Sequence, residues 1–128
     1  KLFDLLVDFN KQWCKNASVL VLIISKKSQN GNPSITHSFD TGAAWENMAL
    51  ESSSRELIAH GMEGFDYNKA REVFNLSDDY NVEAMIAIGK RGNKEDLPKE
   101  LQEREFMSDR KPLNQIVFEG NFNEQERS

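Results

Sequence analysis

Cysteine is nearly absent, with Cys14 the single one in 128 residues. One thiol excludes an internal disulfide framework and any multi-cysteine zinc site, and it suits a reducing, cytoplasmic setting. Histidine is almost as scarce. His37 and His60 are the two present, and neither stands at metal-ligand spacing from a carboxylate-rich stretch. Each reads as a solvated side chain or a helix-end cap, so no metal is expected. Long apolar runs are missing as well. The longest, Val19 to Ile24, falls far short of the roughly 20 residues that a membrane-spanning helix needs. The opening Lys1-Leu2-Phe3-Asp4 lacks the basic-then-apolar pattern of a signal peptide. Basic residues do not prevail: 16 Lys and Arg against 21 Asp and Glu leave a net charge of −5. A domain-wide electrostatic footprint for nucleic acid is therefore absent. No GxGxxG, no Walker loop, no nucleophile elbow and no Ser/His/Asp order can be found.

What remains is a folding composition, 38% hydrophobic and 29% charged, of a length that suits one domain spanning residues 1–128. Leu2, Leu6, Phe9 and Trp13 fall on one face of a helix that Asn16 ends. Val19 to Ile24 is a short, continuous apolar run rich in β-branched residues, expected to be a strand covered on both faces. Lys26 to Ser38 reads as a polar surface loop. Asp40 or Thr41 can cap a helix over Gly42 to His60, whose face Ala43, Asn47, Leu50, Ser54, Leu57 and Ile58 is rich in small residues and suits close approach of another backbone. Gly61 to Asp66 breaks that helix. Asn68 to Phe74 follows as a short helix with Asp66 as its cap. Asp78 to Asn81 is a turn, and Val82 to Ile88 a second buried strand stopped by Gly89. Lys90 to Arg110 is a charged excursion, Leu113 to Phe118 a third strand candidate, and Asn123 to Ser128 a polar tail expected to fray.

Few of these residues carry chemistry by themselves. Cys14 beside Trp13 reads as a buried structural thiol. Gly89-Lys90-Arg91-Gly92 has the look of a phosphate loop, but glycines after a strand more often mark an exit turn. Ser52-Ser53-Ser54 lies within a helix, where serine faces solvent or bonds back to the preceding turn. Two classes of function stay open: a binding or structural module, or an enzyme whose chemistry a cofactor supplies.

An ordered set of blocks runs along most of the chain. Asn10 and Trp13 precede Ala17 and the first strand. Phe39-Asp40-Thr41-Gly42-Ala43-Ala44 leads to Asn47-Met48-Ala49-Leu50. His60-Gly61-Met62-Glu63-Gly64-Phe65-Asp66 comes next, then Tyr80-Asn81-Val82 and Met85-Ile86-Ala87-Ile88-Gly89. Leu97-Pro98 and Arg110-Lys111-Pro112-Leu113 close the series. In order and spacing the set, from about Phe3 to Phe118, resembles the C-terminal part of the nitroreductase family of flavoproteins.

That resemblance implies an α+β fold with a mixed, largely antiparallel sheet flanked by helices, incomplete without its N-terminal part. It implies FMN as cofactor, NADH or NADPH as reductant, and a nitro, quinone or related small-molecule acceptor in ping-pong order. It also implies an intertwined homodimer, with Ile116 to Phe118 pairing across chains and neither nucleic acid nor membrane as partner. By motif, Glu63 and Gly64 pass the flavin ring with their main-chain amides, and Arg110, with Lys111 beside it, meets the FMN phosphate. The bland alternatives are a turn in which Gly64 serves a positive-φ bend, and solvated charges at Arg110 and Lys111. The chain departs from the family's pattern at Ser52, Ser53, Glu56 and Ser108. It also lacks the family's N-terminal arginine-rich flavin-phosphate segment, and Lys1 opens directly on an apolar-periodic stretch, as a fragment would. The competing expectation is a non-catalytic remnant or interaction module that keeps the fold and binds no flavin.

Overall fold

In chain order the elements are α1 (Leu2–Leu5), α2 (Asp8–Cys14), β1 (Val19–Lys26), β2 (Ser28–Gln29), β3 (Asn32–Pro33), α3 (His37–Ser54), β4 (Ile58–Met62), α4 (Tyr67–Val73), β5 (Tyr80–Gly89) and α5 (Lys99–Gln102). The structure, a computed structural model, describes residues 1–120; the polar tail from Asn123 lies outside them. The fold is α+β. Its main sheet has the order β1-β5-β4, and both pairings are antiparallel.

β5 is the centre of that sheet, which is why its apolar run is the best buried. Met85 and Ile86 are the largest side chains fully removed from solvent. Val82, Met85 and Ala87 join a core with Leu5, Leu6, Cys14 and Ala70 from α1, α2, α4 and the α1–α2 junction. On the other side of the sheet, Ala84 and Ile86 line a small cavity with Gly61 and Trp45 of α3. Strict alternation would put Val82 and Met85 on opposite faces. A bulge prevents this: Ile23 pairs with Ala84 while Ile24 pairs with Val82, so Glu83 is the extra residue. It re-aims the strand end by one position and sends the Glu83 side chain to the α3 face.

β1 departs from its expected burial. It is an edge strand among the described residues, with Val19 50% and Ile24 38% exposed. An open apolar groove of about 370 Å³ runs between it and α3, lined by Leu22, Ile24, Trp45 and Met48 among others. The polar stretch after it folds into the β2–β3 hairpin, because Asn30 (φ 53°) and Gly31 (φ 79°) both take the positive φ of a tight two-residue turn.

Three helix boundaries differ from expectation. The first helix is two, α1 and α2, because tertiary pairing interrupts it: Leu6 bridges Phe65, and Val7 N–H donates to Gly64 O at 3.0 Å. α3 begins at His37 rather than Gly42 and ends at Ser54, and neither Asp40 nor Thr41 caps it. Thr41 instead donates back to His37 O at 2.8 Å, and Asp40 accepts from Thr36 Oγ1 at 3.0 Å. Residues 58–62, read as the end of that helix and a break, form β4 because they complete the sheet beside β5. α4 agrees with the sequence, its first turn capped by Asp66, which accepts from Lys69 N–H at 2.9 Å.

Leu113 to Phe118 is not a strand. Leu113–Gln115 is a 3-10 turn entered from Pro112, since no sheet edge among the described residues reaches it. Among those residues no helix is long and apolar enough to cross a membrane.

Candidate functional site

The Glu63–Gly64 turn joins β4 to α4 and is gripped from the N-terminal side. Asp66 N–H donates to Leu5 O at 2.9 Å, and the Leu6–Phe65 bridge and the Val7 bond lie beside it. Asn10, on α2, completes the hold: its Nδ2 donates to Gly64 O at 3.1 Å, and its Oδ1 accepts from Trp13 Nε1 at 3.1 Å. The Trp13 ring in turn meets His60 of β4 at 4.7 Å between centroids. On the far side, Phe65 and Tyr67 stack with centroids 4.1 Å apart.

Gly64 is required for space rather than for a bend. Its φ is not positive; among the described residues the positive-φ glycines are Gly31 and Gly120. A Cβ there would run into Asn10 Nδ2 and lie 3.0 Å from Val7 Cγ2. Glu63 is exposed beside it. Burial raises the Tyr67 hydroxyl above its ordinary pKa, and the Glu63 and Glu83 charges push the same way.

Arg110 and Lys111 lie elsewhere. Both are exposed, and among the described residues the Arg110 guanidinium engages Ser108, two positions back, donating to its O at 3.3 Å and to its Oγ at 3.1 Å. Among the described residues no hydrogen bond or ion pair joins either to the Glu63–Gly64 turn, and neither meets a carboxylate. Among the described residues no carboxylate neutralises either cation. In the Gly89–Gly92 stretch, Arg91 Nη2 pairs with Glu105 at 3.0 Å, which accounts for that charge structurally. Cys14 is buried, and burial raises its thiol pKa against a smaller opposing backbone hydrogen bond.

A second polar cluster was not anticipated. Ser25 of β1 and Ser38 of α3 both donate to Glu83 Oε1, the latter at 2.6 Å, and His37 Nδ1 lies 2.8 Å from Ser25 Oγ. A carboxylate can only accept, so each hydroxyl spends its one hydrogen on Glu83. The network therefore assigns the Nδ1 proton to His37, donating to Ser25. His37 is neither solvated nor at a helix C-terminus; it opens α3. Burial would raise the Glu83 carboxyl, but the Ser25, Ser38 and Asn81 hydrogen bonds and the His37 interaction outweigh it and hold the pKa below its ordinary value. The sequence signal was a single charge at position 83 inside an otherwise apolar strand. Among the described residues no group of three or more His, Cys, Asp and Glu is placed to hold a metal ion.

No protein-family model matches the chain. It is 30% identical over 105 residues to an uncharacterized 15.4 kDa protein in the ask 5′ region of Mycolicibacterium smegmatis, covering 81% of this chain and 71% of that one. The solved structure of an oxidoreductase containing FMN is 42% identical, with a TM-score of 0.86 over 95% of this chain. The chain spans 64% of that protein's length. A nitroreductase family protein from Streptococcus pneumoniae TIGR4 shares the fold at 16% identity, with a TM-score of 0.67 over 93% of this chain and 72% of its own.

Proposed function

From the fold shared with nitroreductase family proteins and the sequence shared with an oxidoreductase containing FMN, we propose that this chain belongs to the nitroreductase family and is the C-terminal portion of an FMN-dependent NAD(P)H oxidoreductase acting on a nitro, quinone or related small acceptor. The observation that carries this reading is the 42% identity, over 95% of the chain, to an oxidoreductase containing FMN. FMN, when bound, would supply two-electron hydride chemistry in ping-pong order between nicotinamide and acceptor.

The residues present fit the group. FMN carries about two negative charges on its phosphate at neutral pH, and on an acidic chain a cation must be placed locally. Among the described residues the Arg110 guanidinium bonds to Ser108, and its planar fork suits phosphate oxygens. Lys111 adds charge beside it. The Glu63–Gly64 turn presents backbone to the ring, held by α2.

A homodimer belongs to the same reading. Phe39 (79% exposed) and Leu50 (60% exposed) leave an outward apolar stripe on α3, and Ile116 and Val117 another near the C-terminal end. Proteins usually cover or pair such surfaces and the open edge of β1. A buried, unpaired thiol at Cys14 is compatible with the reducing cytoplasm.

Absorbance of the purified protein tests the proposal. A yellow protein with a flavin spectrum, or apoprotein that takes up added FMN and is then bleached by NADH or NADPH, supports it. A colourless protein that takes up no FMN favours the non-catalytic remnant.

A further inference from the structure

We infer that Asn10 is the positioning residue of the Glu63–Gly64 turn, orienting its backbone toward the flavin ring; this rests on the function proposed above. Asn10 is nearly buried, at 9% exposure, yet every polar atom of its amide group that the turn needs is engaged. Nδ2 holds Gly64 O and Oδ1 takes the Trp13 indole hydrogen. Its backbone N–H donates to Val7 O at 3.0 Å, the same Val7 whose N–H meets Gly64 O. Both lone pairs of the Gly64 carbonyl are thereby occupied. The preceding carbonyl is fixed too, since Phe65 N–H donates to Glu63 O at 2.8 Å.

A trans peptide points its N–H opposite to its C=O. With the Glu63 carbonyl committed to Phe65, the Gly64 N–H is aimed the other way. With the Gly64 carbonyl committed to Val7 and Asn10, the next peptide plane cannot rotate. Gly64 lacks the Cβ that would displace the Asn10 amide, so the glycine and the asparagine are two parts of one device. His60, through the Trp13 ring, ties the strand entering the turn to the same helix. The α2 side chain therefore sets the angle of a backbone segment 54 residues further along. A helix contact that served only packing would need no amide at a nearly buried position, where an unmet donor or acceptor is costly.

Asn10→Asp tests this with little change of shape. It keeps the acceptor for Trp13 and replaces the Gly64 donor with an oxygen that repels the carbonyl. Trp13→Phe does the reverse, keeping the Gly64 bond. Three readouts are compared with wild type: amide hydrogen exchange across residues 63–65 without flavin, affinity for FMN and for riboflavin, and the two-electron midpoint potential of the bound flavin. Asn10→Asp is expected to speed exchange in the turn and to move the potential. It should also weaken both flavins alike by roughly 2- to 12-fold, the range of one hydrogen bond, because the turn faces the ring and not the phosphate. Trp13→Phe should change each less. If Asn10→Asp only lowers the melting temperature, leaving turn exchange and potential at wild-type values, Asn10 is a packing residue and the inference fails. A wild-type protein that takes up no flavin, while Asn10→Asp still loosens the turn, overturns the proposed function and with it the flavin role of Asn10.

Discussion

Ser38 Oγ lies 2.6 Å from Glu83 Oε1, joining the first turn of α3 to the bulged residue of β5. Ser25 reaches the same oxygen from β1. One carboxylate thus links three elements, and the bulge that places it also lets Val82 and Met85 share a face.

Glu83 should make stability depend on acid. Its folded pKa is lowered from the ordinary value of 4.5. The stabilisation is therefore fully present above that unfolded value and is lost as pH falls through the lower, folded one. Glu83→Gln is expected to cost about 1.5–3 kcal/mol at pH 7, the range for a hydrogen bond to a charged group. Melts of both proteins from neutral to strongly acidic pH should converge as Glu83 is protonated; a constant difference across that range refutes the assignment.

Gly64→Ala should destabilise through collision rather than through φ. The new methyl would meet Asn10 Nδ2 and Val7 Cγ2. Overpacking of this kind costs roughly 1–3 kcal/mol, read as a lower urea midpoint. Gly42→Ala, with open space around its Cβ direction in α3, is the control and should stabilise by about 0.4–1 kcal/mol.

Arg110→Ala should separate phosphate from ring. Loss of one charge-assisted contact weakens FMN by roughly 10- to 150-fold, while riboflavin, without a phosphate, should be nearly indifferent. Titration of both flavins decides it: equal losses mean that Arg110 acts through folding.

Ala43 is exposed on α3, on the stripe that includes Phe39 and Leu50. If a second copy covers that stripe, Ala43→Leu should overpack the contact and weaken association by about 1–3 kcal/mol. Sedimentation across a concentration series measures this. Unchanged association places Ala43 outside the interface.

Cys14 should resist thiol reagents at neutral pH, because burial raises its pKa and blocks access. Its labelling rate should follow the unfolded population as denaturant is added.

Several features were legible in the residues alone. The central strand, the Asp66-capped helix and the buried Cys14 follow from local patterns: an apolar stretch from Val82 to Ile88 stopped by a glycine, a capping side chain three residues before its amide, an apolar helical face. The ordered blocks around Glu63-Gly64 and Arg110-Lys111 likewise pointed to the family whose fold the chain has.

Tertiary pairing decided the rest. Leu6 and Val7 continue a helical period, yet hydrogen bonds to a turn nearly 60 residues away split the helix there. Residues 58–62 carry no strong strand pattern, and become β4 because β5 offers an open edge. The reason Gly64 is glycine is visible only once Asn10 stands against it. The Ser25, Ser38 and Glu83 cluster depends on a one-residue bulge that no periodicity announces. Local patterns fix which surfaces are apolar and where a turn is easy; backbone hydrogen bonds between distant segments then choose among conformations that those patterns leave close in energy.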